Sequence, residues 1–336
     1  MKFSEIRALP DIQARFEKVR RWFFLRESTY DMTRRCNIRC HGCYYYEGDK
    51  QRAVDNADPA AWRALMEAEK ARGITFVVLA GAEPALVPDL LQACYDVIPL
   101  GAIATNGIKK IPESVGYRIH VSVWGNEETS KRYRGDPCLP KQIENYAGDP
   151  RAVLVYTFTP ENAGEAEEVA RRAAEAKIRV TFNVFSPTVE YTGNMRFTPE
   201  SLARVRAEMS RLVRASPETV VYSDYNAEAH TDARSLHARY RCPYPRVNPN
   251  DSFGLGRSFR QYRSDLTWDR GAACCVPDTD CAECRHYAAG SAIVTARMLD
   301  HAGDAESFRK WLDYVDTYLS VWVTGYERGK PLYWAS

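Results

Sequence analysis

Apolar residues recur along the chain with two different periods, and the period predicts the type of each element. Ile12, Phe16, Val19 and Phe23 follow one another at intervals of three or four residues, which is typical of an amphipathic helix over 11–24. Short runs rich in β-branched and aromatic residues instead predict strands. The predicted strands lie near 28–34, 74–79, 101–105, 117–123, 152–158 and 178–185. The other predicted helices lie near 59–72, 86–98, 138–147, 161–176 and 199–214.

Strands and helices alternate as far as residue 185, and this order predicts βαβ units around a parallel sheet. Six strands are too few to close an eight-stranded barrel. We therefore expect an α/β fold built on an open, partial (β/α)6 TIM-like barrel. Chemistry in such folds lies at the carboxyl ends of the strands, so we expect the functional residues in the loops that follow the strands.

The pattern changes after Pro187, where a loop-rich stretch extends to about residue 273 and a long helical region follows over 288–323. We divide the chain accordingly into an N-terminal amphipathic helix over 1–27 and a barrel core over 28–195. Residues 196–336 then form a loop-rich C-terminal module with a terminal helix.

Composition narrows the class of protein further. The chain has 336 residues, 45% of them apolar, and a formal net charge of +2, so its charge gives no argument for nucleic acid or a membrane surface as a partner. The N-terminus lacks the apolar run of a signal peptide, and no apolar stretch reaches the ~18 residues of a spanning helix. We expect a cytoplasmic protein. Its ten cysteines are then better explained as metal ligands or reactive thiols than as disulfides.

Three of these cysteines stand on one loop directly after the first predicted strand. Cys36, Cys40 and Cys43 follow one another at intervals of four and three positions. Each thiolate can bind one iron of a [4Fe-4S] cubane, which leaves the fourth iron open for a ligand. A zinc site is the alternative, but zinc needs a fourth ligand, and His41 inside the loop has poor reach.

The cysteine spacing resembles the radical S-adenosylmethionine superfamily, which carries Cys-x-x-x-Cys-x-x-Cys after the first strand of a partial barrel. Two further motifs strengthen the resemblance. Gly81, Ala82, Glu83 and Pro84 follow the second strand and resemble the family's Gly-Gly-Glu-Pro, while Thr105, Asn106 and Gly107 resemble its Thr-Asn-Gly after the third. The resemblance implies that the motif after the second strand binds the amino group of S-adenosylmethionine.

A fourth motif follows the fourth strand. Ser122 and Arg134 stand where the family places the residues that bind the methionyl carboxylate, and Phe185 stands where relatives contact the adenine. Two positions depart from the family. Gly42 replaces the aromatic residue that the family usually has before the third cysteine, and we expect Tyr44 to take its place. Trp124 replaces the usual Asp of the fourth motif.

The resemblance implies reductive cleavage of S-adenosylmethionine to a 5'-deoxyadenosyl radical, with electrons from a partner such as flavodoxin or ferredoxin. We expect a small biosynthetic molecule as substrate. Modification of a peptide is the alternative enzyme function. An iron-sulfur or zinc sensor is the non-enzyme alternative, but it leaves the motifs after the second and third strands without a role.

A second group of cysteines follows the barrel: Cys242, Cys274, Cys275, Cys281 and Cys284. It resembles the auxiliary-cluster extensions called SPASM and twitch, and five thiols can fully ligate at most one further [4Fe-4S] cluster. Our candidate ligands are Cys242, Cys275, Cys281 and Cys284, and spacing leaves open whether Cys274 replaces Cys275. A structural zinc site remains the alternative.

The histidines that lie outside the first cysteine loop form no pair at metal-ligand spacing. They are His120, His230, His237, His286 and His301. We expect each to be structural or exposed rather than a metal ligand.

Overall fold

The computed structural model describes residues 2–47, 54–234, 242, 244, 259–268, 274, 279–288, 290 and 298–326. Its strands are β1 Glu27–Asp31, β2 Phe76–Ala80, β3 Gly101–Thr105, β4 Arg118–Val123, β5 Ala152–Phe158, β6 Arg179–Val184 and β7 Gln261–Tyr262. They form one sheet in the order β6-β5-β4-β3-β2-β1-β7, and all neighbours are parallel. The predicted α/β class and parallel sheet are confirmed, and the arrangement is consistent with a partial barrel.

The seventh strand was not among the six that the pattern predicted. It pairs with the outer side of β1, where Gln261 lies opposite Thr29 and Tyr262 opposite Tyr30. A strand of two residues is too short to show an alternating pattern. Its position is therefore visible only in the folded chain.

The helices are α1 Phe3–Arg7, α2 Pro10–Arg20, α3 Tyr44–Glu47, α4 Pro59–Ala71, α5 Pro88–Tyr95, α6 Glu127–Arg134, α7 Cys138–Tyr146, α8 Ala166–Glu175, α9 Pro199–Ala215, α10 Asp224–Thr231 and α11 Ala305–Trp322. The predicted region 288–323 contains α11, which begins where the Asp304 carboxylate accepts a hydrogen bond from Ser307 N at 2.8 Å. Residues 289 and 291–297 of that prediction lie outside the described residues. Within the described part of the chain, no helix is both long and apolar enough to cross a bilayer.

Alternate residues of each strand face opposite sides of the sheet. On β4, Ile119 and Val121 join the core under the outer helices, and Leu154 and Tyr156 do the same on β5. Val205 of α9 packs in this same core. The proposed boundaries at residues 27 and 195 stay predictions.

Helix α11 packs against the other face of the sheet. A second core joins α11 and α2 to the inward residues Phe76 and Ala102. At the end of α11, Val323 O accepts a hydrogen bond from the Arg118 guanidinium at 2.7 Å, and Val321 O lies 2.9 Å from His120 Nε2. The helix thereby closes the amino-terminal side of the inner face.

Candidate active site

A cavity of about 230 Å³ opens at the carboxyl ends of the strands. Most of the predicted site residues line it together: Cys36, Cys40, Cys43, Tyr44, Gly81, Ala82, Glu83, Thr105, Asn106, Ser122, Arg134 and Phe185. Pro84 is not among the lining residues; it is buried and begins a short 3-10 turn behind Glu83. Segments that follow β1, β2, β3 and β6 thus meet with β4 and the end of α6 around one space.

The first cysteine loop is held between α6 and the end of β6. His41 N donates to Tyr133 O at 2.7 Å, and Gly42 adopts a left-handed φ of 68°. A Cβ atom at Gly42 would lie 3.0 Å from the Phe185 ring, so a larger residue there would have to displace that ring. Burial raises the pKa of the Cys43 thiol to about 11. Iron must therefore displace protons when it binds this loop.

Glu83 connects the loops after β2 and β3. Its buried carboxylate accepts hydrogen bonds from Thr105 Oγ1 at 2.6 Å, Asn106 N at 2.7 Å and Ala85 N at 2.9 Å. Burial raises the pKa of Glu83 although these three bonds oppose the shift. A carboxylate offers about four acceptor positions, so one remains for a ligand amine.

The Asn106 side chain reaches the first cysteine of the loop. Asn106 Nδ2 lies 2.7 Å from Asn37 Oδ1 and 3.6 Å from Cys36 Sγ. Its Oδ1 accepts from Ile108 N at 3.0 Å, which fixes the orientation of the amide. Asn106 therefore presents an N–H donor to a predicted iron ligand.

Arg134, at the end of α6, is buried beside the same loop. Burial opposes its charge, but the nearby thiols of Cys40 and Cys138 raise the pKa of the guanidinium overall. Arg134 Nη1 donates a short hydrogen bond to the carbonyl oxygen of Ser122. The site thus contains a permanently charged group that suits a carboxylate ligand.

One side of the cavity is aromatic. Trp124, which stands where the family has Asp, packs edge-on against Phe185 with ring centroids 5.7 Å apart. Phe185 also contacts Tyr191 and Met195 in a small apolar cluster. This cluster fills the space beside Gly42. Tyr44 also lines the cavity, and burial raises the pKa of its phenol well above the usual value.

Sequence reasoning missed several polar lining residues, among them His120, Thr157, Asn183, His286 and Tyr287. His120, Thr157 and Asn183 occupy inward positions of β4, β5 and β6, and on β4 and β6 polar inward residues alternate with outward apolar ones. That alternation was a usable signal. His286 and Tyr287 carried no comparable signal, because only the tertiary fold brings their segment to the strands.

The second cysteine group comes together beside the end of β6. Burial raises the pKa of Cys242 to about 12, and the neighbouring thiols of Cys274, Cys284 and Cys281 add to the shift. Burial, together with the thiols of Cys274 and Cys281, also raises the pKa of Cys284 to about 12. Four predicted thiols thus lie within electrostatic reach of one another, and Cys275 lies outside the described residues.

Both groups offer only sulfur ligands, which suits iron-sulfur clusters. Among the residues that the structure describes, no three His, Cys, Asp or Glu side chains are placed to hold one metal ion. Thiolates that bind separate irons of a cubane do not need to converge on a single point. The donor chemistry of both groups therefore fits a cluster.

The chain was compared with known proteins at three levels. No protein-family model and no curated protein matches it. Among solved structures, it is similar to SuiB of Streptococcus suis, with 15% identity and a TM-score of 0.54 over 77% of this chain and 64% of SuiB. SuiB bound to its precursor peptide SuiA gives 15% identity, a TM-score of 0.54, and coverage of 77% and 63%.

SuiB is a radical S-adenosylmethionine enzyme, and this chain has the fold of that class. A structure of SuiB bound to S-adenosylmethionine is similar at 18% identity over 62% of this chain and 53% of SuiB, with a TM-score of 0.48. The chain spans less than two thirds of the length of SuiB.

Proposed function

We propose that the protein is a radical S-adenosylmethionine enzyme that forms a 5'-deoxyadenosyl radical and abstracts hydrogen from a small substrate. The observation that carries this proposal is the convergence of three loop thiols and three further strand-end motifs on one cavity. A [4Fe-4S] cluster, when bound, supplies the electron that breaks the carbon-sulfur bond of the cosubstrate.

The chain's own residues bind and orient the cosubstrate. Cys36, Cys40 and Cys43 hold the cluster, and Arg134 pairs with the methionyl carboxylate. The Glu83 carboxylate faces the amino group while it fixes the loops after β2 and β3. On the other side, the aromatic cluster around Phe185 gives the adenine an apolar surface. Enclosure at the sheet edge keeps water from a reactive radical.

Electrons are proposed to come from a small acidic carrier such as flavodoxin or ferredoxin in the cytoplasm. Arg34, Arg35 and Arg39 are exposed on the first cysteine loop. Lys131 and Arg132 are exposed on the adjacent α6. These cations supply complementary charge next to the site where the electron must arrive.

The second cysteine group is proposed to hold one auxiliary [4Fe-4S] cluster. Proximity favours Cys242, Cys274, Cys281 and Cys284 as its ligands. Cys274 is the proposed ligand of the adjacent pair, and Cys275 lies outside the described residues. The segment that carries Cys281 and Cys284 is fixed to the barrel, because Asp280 N donates to Pro187 O at 2.9 Å.

Peptide modification is the second candidate function. The observation in its favour is the similarity to SuiB in complex with its precursor peptide. A peptide substrate would place only one side chain or backbone segment in the cavity. The cosubstrate chemistry would be the same for both candidates.

The proposal is tested by anaerobic loading of the protein with iron and sulfide, followed by dithionite and S-adenosylmethionine. We expect slow release of 5'-deoxyadenosine without any substrate, detected by mass spectrometry. A fully loaded protein that forms none would contradict the proposal. Methylated products with S-adenosylhomocysteine would instead indicate a radical methyltransferase.

A further inference from the structure

The deep wall of the cavity is built from β4, β5, β6 and a segment of the C-terminal module. His120 lies two residues before Ser122 on the inward face of β4, so it sits about 6 to 7 Å further from the strand end. The segment is attached to β6 by two hydrogen bonds: Tyr287 N donates to Asn183 Oδ1 at 3.0 Å, and Arg285 N donates to Ser186 Oγ at 2.9 Å. His286 and Tyr287 thereby become part of the wall.

The hydrogen bonds of His120 fix the proton of Tyr287. His120 Nε2 lies 2.9 Å from Val321 O, which can only accept, so this nitrogen carries the ring hydrogen. Nδ1, 2.7 Å from Tyr287 Oη, must then accept the phenol hydrogen. Burial lowers the pKa of His120 to about 3 and keeps the ring neutral. The Tyr287 ring is also stacked on Trp322, with centroids 5.2 Å apart. Both rings are therefore rigid.

His286 is oriented differently and leaves one donor available. Its Nδ1 lies 3.3 Å from Ala288 N and accepts from that N–H, so the neutral ring carries its hydrogen on Nε2. No hydrogen bond to this Nε2 is present among the described residues, and the half-buried ring lines the cavity. The wall therefore holds one fixed N–H donor that has no acceptor among the described residues.

Formal charge is confined to the other end of the cavity. Among the described lining residues, Glu83 and Arg134 are the only members of the Asp, Glu, Lys and Arg types. Glu83, on the loop after β2, and Arg134, at the end of α6, both lie near the first cysteine group. A charged substrate group at the deep wall would lose its hydration without gaining a partner, which is costly.

We propose that the deep wall is a substrate subsite for an uncharged, hydrogen-bond-accepting group such as an amide or ketone carbonyl, bound by His286 Nε2–H beside the Tyr287 ring. This inference deepens the proposed function, because it names the chemical class of the group held near the radical. Neither the cysteines nor the cosubstrate motifs require it.

Three probes of equal size and different charge test the subsite: benzamide, benzoate and benzylammonium. Their binding to the iron-loaded protein with S-adenosylmethionine is measured by saturation-transfer NMR under anaerobic conditions. We expect benzamide to bind at least about tenfold more tightly than either ion, since an unpaired buried charge is penalised more than a satisfied carbonyl. Absence of benzamide binding, or preference for an ion, overturns the inference.

Variants locate the binding. His286→Ala should weaken benzamide about two- to tenfold, as expected for one neutral hydrogen bond, and His286→Gln should restore part of the affinity because its amide reaches a similar position. His301→Ala is the matched control, because His301 bonds Ser307 and Tyr225 away from the cavity. Equal benzamide binding by the wild type and His286→Ala overturns the inference.

A second variant, which introduces a negative charge, tests the subsite if His286→Ala fails to fold. Asn183→Asp is isosteric and keeps the Oδ1 acceptor for Tyr287 N. It should shift the preference from benzamide to benzylammonium, and an unchanged preference overturns the subsite. Deoxyadenosine is measured in the same samples. Its absence alongside intact benzamide selectivity would refute the proposed function and leave the subsite standing.

Discussion

The two cysteine groups place similar thiols in different surroundings. Cys36, Cys40 and Cys43 stand on one continuous loop that lines the cavity. The second group gathers Cys242 and Cys274 from separate segments and joins them to the turn that contains Cys281 and Cys284. The sequence indicated both groups, but only folding brings Cys242 and Cys274 near the turn that carries Cys281 and Cys284.

Their neighbours differ as much as their origins. The first group faces the Asn106 amide and the Arg134 guanidinium, which suits an iron that binds a charged ligand. In the second group, Cys242 and Cys274 are buried, and the other two are half-buried. We infer that the first group holds a cluster with one iron open to a reacting ligand. The second group would hold a cluster in which a cysteine binds every iron.

The largest effect should follow the loss of an open-cluster ligand. Cys40→Ala should reduce deoxyadenosine formation to the level of a protein-free sample, since a cubane cannot keep its iron there. Cys138→Ala is the matched control, because the buried Cys138 thiol lies near Arg134, as Cys40 does, but is not on the first cysteine loop. Retained activity in Cys40→Ala would disprove the assignment of the first group.

Iron content distinguishes the two adjacent cysteines of the second group. The wild type should bind about eight irons, as two cubanes require, and Cys274→Ser should retain about four. Cys275→Ser should keep about eight. The reverse result would exchange the two ligands, and about one zinc with about four irons would replace the auxiliary cluster by a zinc site.

Cosubstrate affinity should depend on the arginine beside the first group. Arg134→Lys keeps the charge but loses the fork, and the loss of a charge-assisted hydrogen bond should weaken S-adenosylmethionine about ten- to a hundredfold. Calorimetry on the iron-loaded protein measures this change. Arg132→Lys, an exposed neighbour that pairs with Glu161, should bind normally. An unaffected Arg134→Lys would remove this residue from the site.

The smallest effect concerns the reduction potential. Asn106→Ala removes an N–H donor from Cys36 Sγ and should lower the potential of the first cluster by roughly 20 to 60 mV. The potential of the auxiliary cluster should not change, because Cys36 is the only cysteine among the described residues to which Asn106 donates. Redox titration followed by electron paramagnetic resonance separates the two signals. A shift of both would mean that the variant perturbs the fold.

Local patterns predicted the barrel well. The bounds of β3 and β5 agree with the predicted 101–105 and 152–158, because both are apolar runs buried in a parallel sheet. The pattern could not predict the partners of Glu83, since Thr105 and Asn106 join it across two strands. The two-residue strand β7 was not predicted, because so short a segment shows no period from which to infer its position.

Helix α11 also affects the order in which the molecule can be completed. A ribosome releases the first cysteine loop, β4 and β6 long before the residues around 321 that close the amino-terminal side of the barrel. The nascent sheet must therefore wait with Arg118 and His120 still lacking the Val323 and Val321 carbonyls that they bond in the finished protein. During that interval the inner face of the sheet is open on its amino-terminal side. Access to the inner face from that side therefore ends only when α11 packs against the sheet.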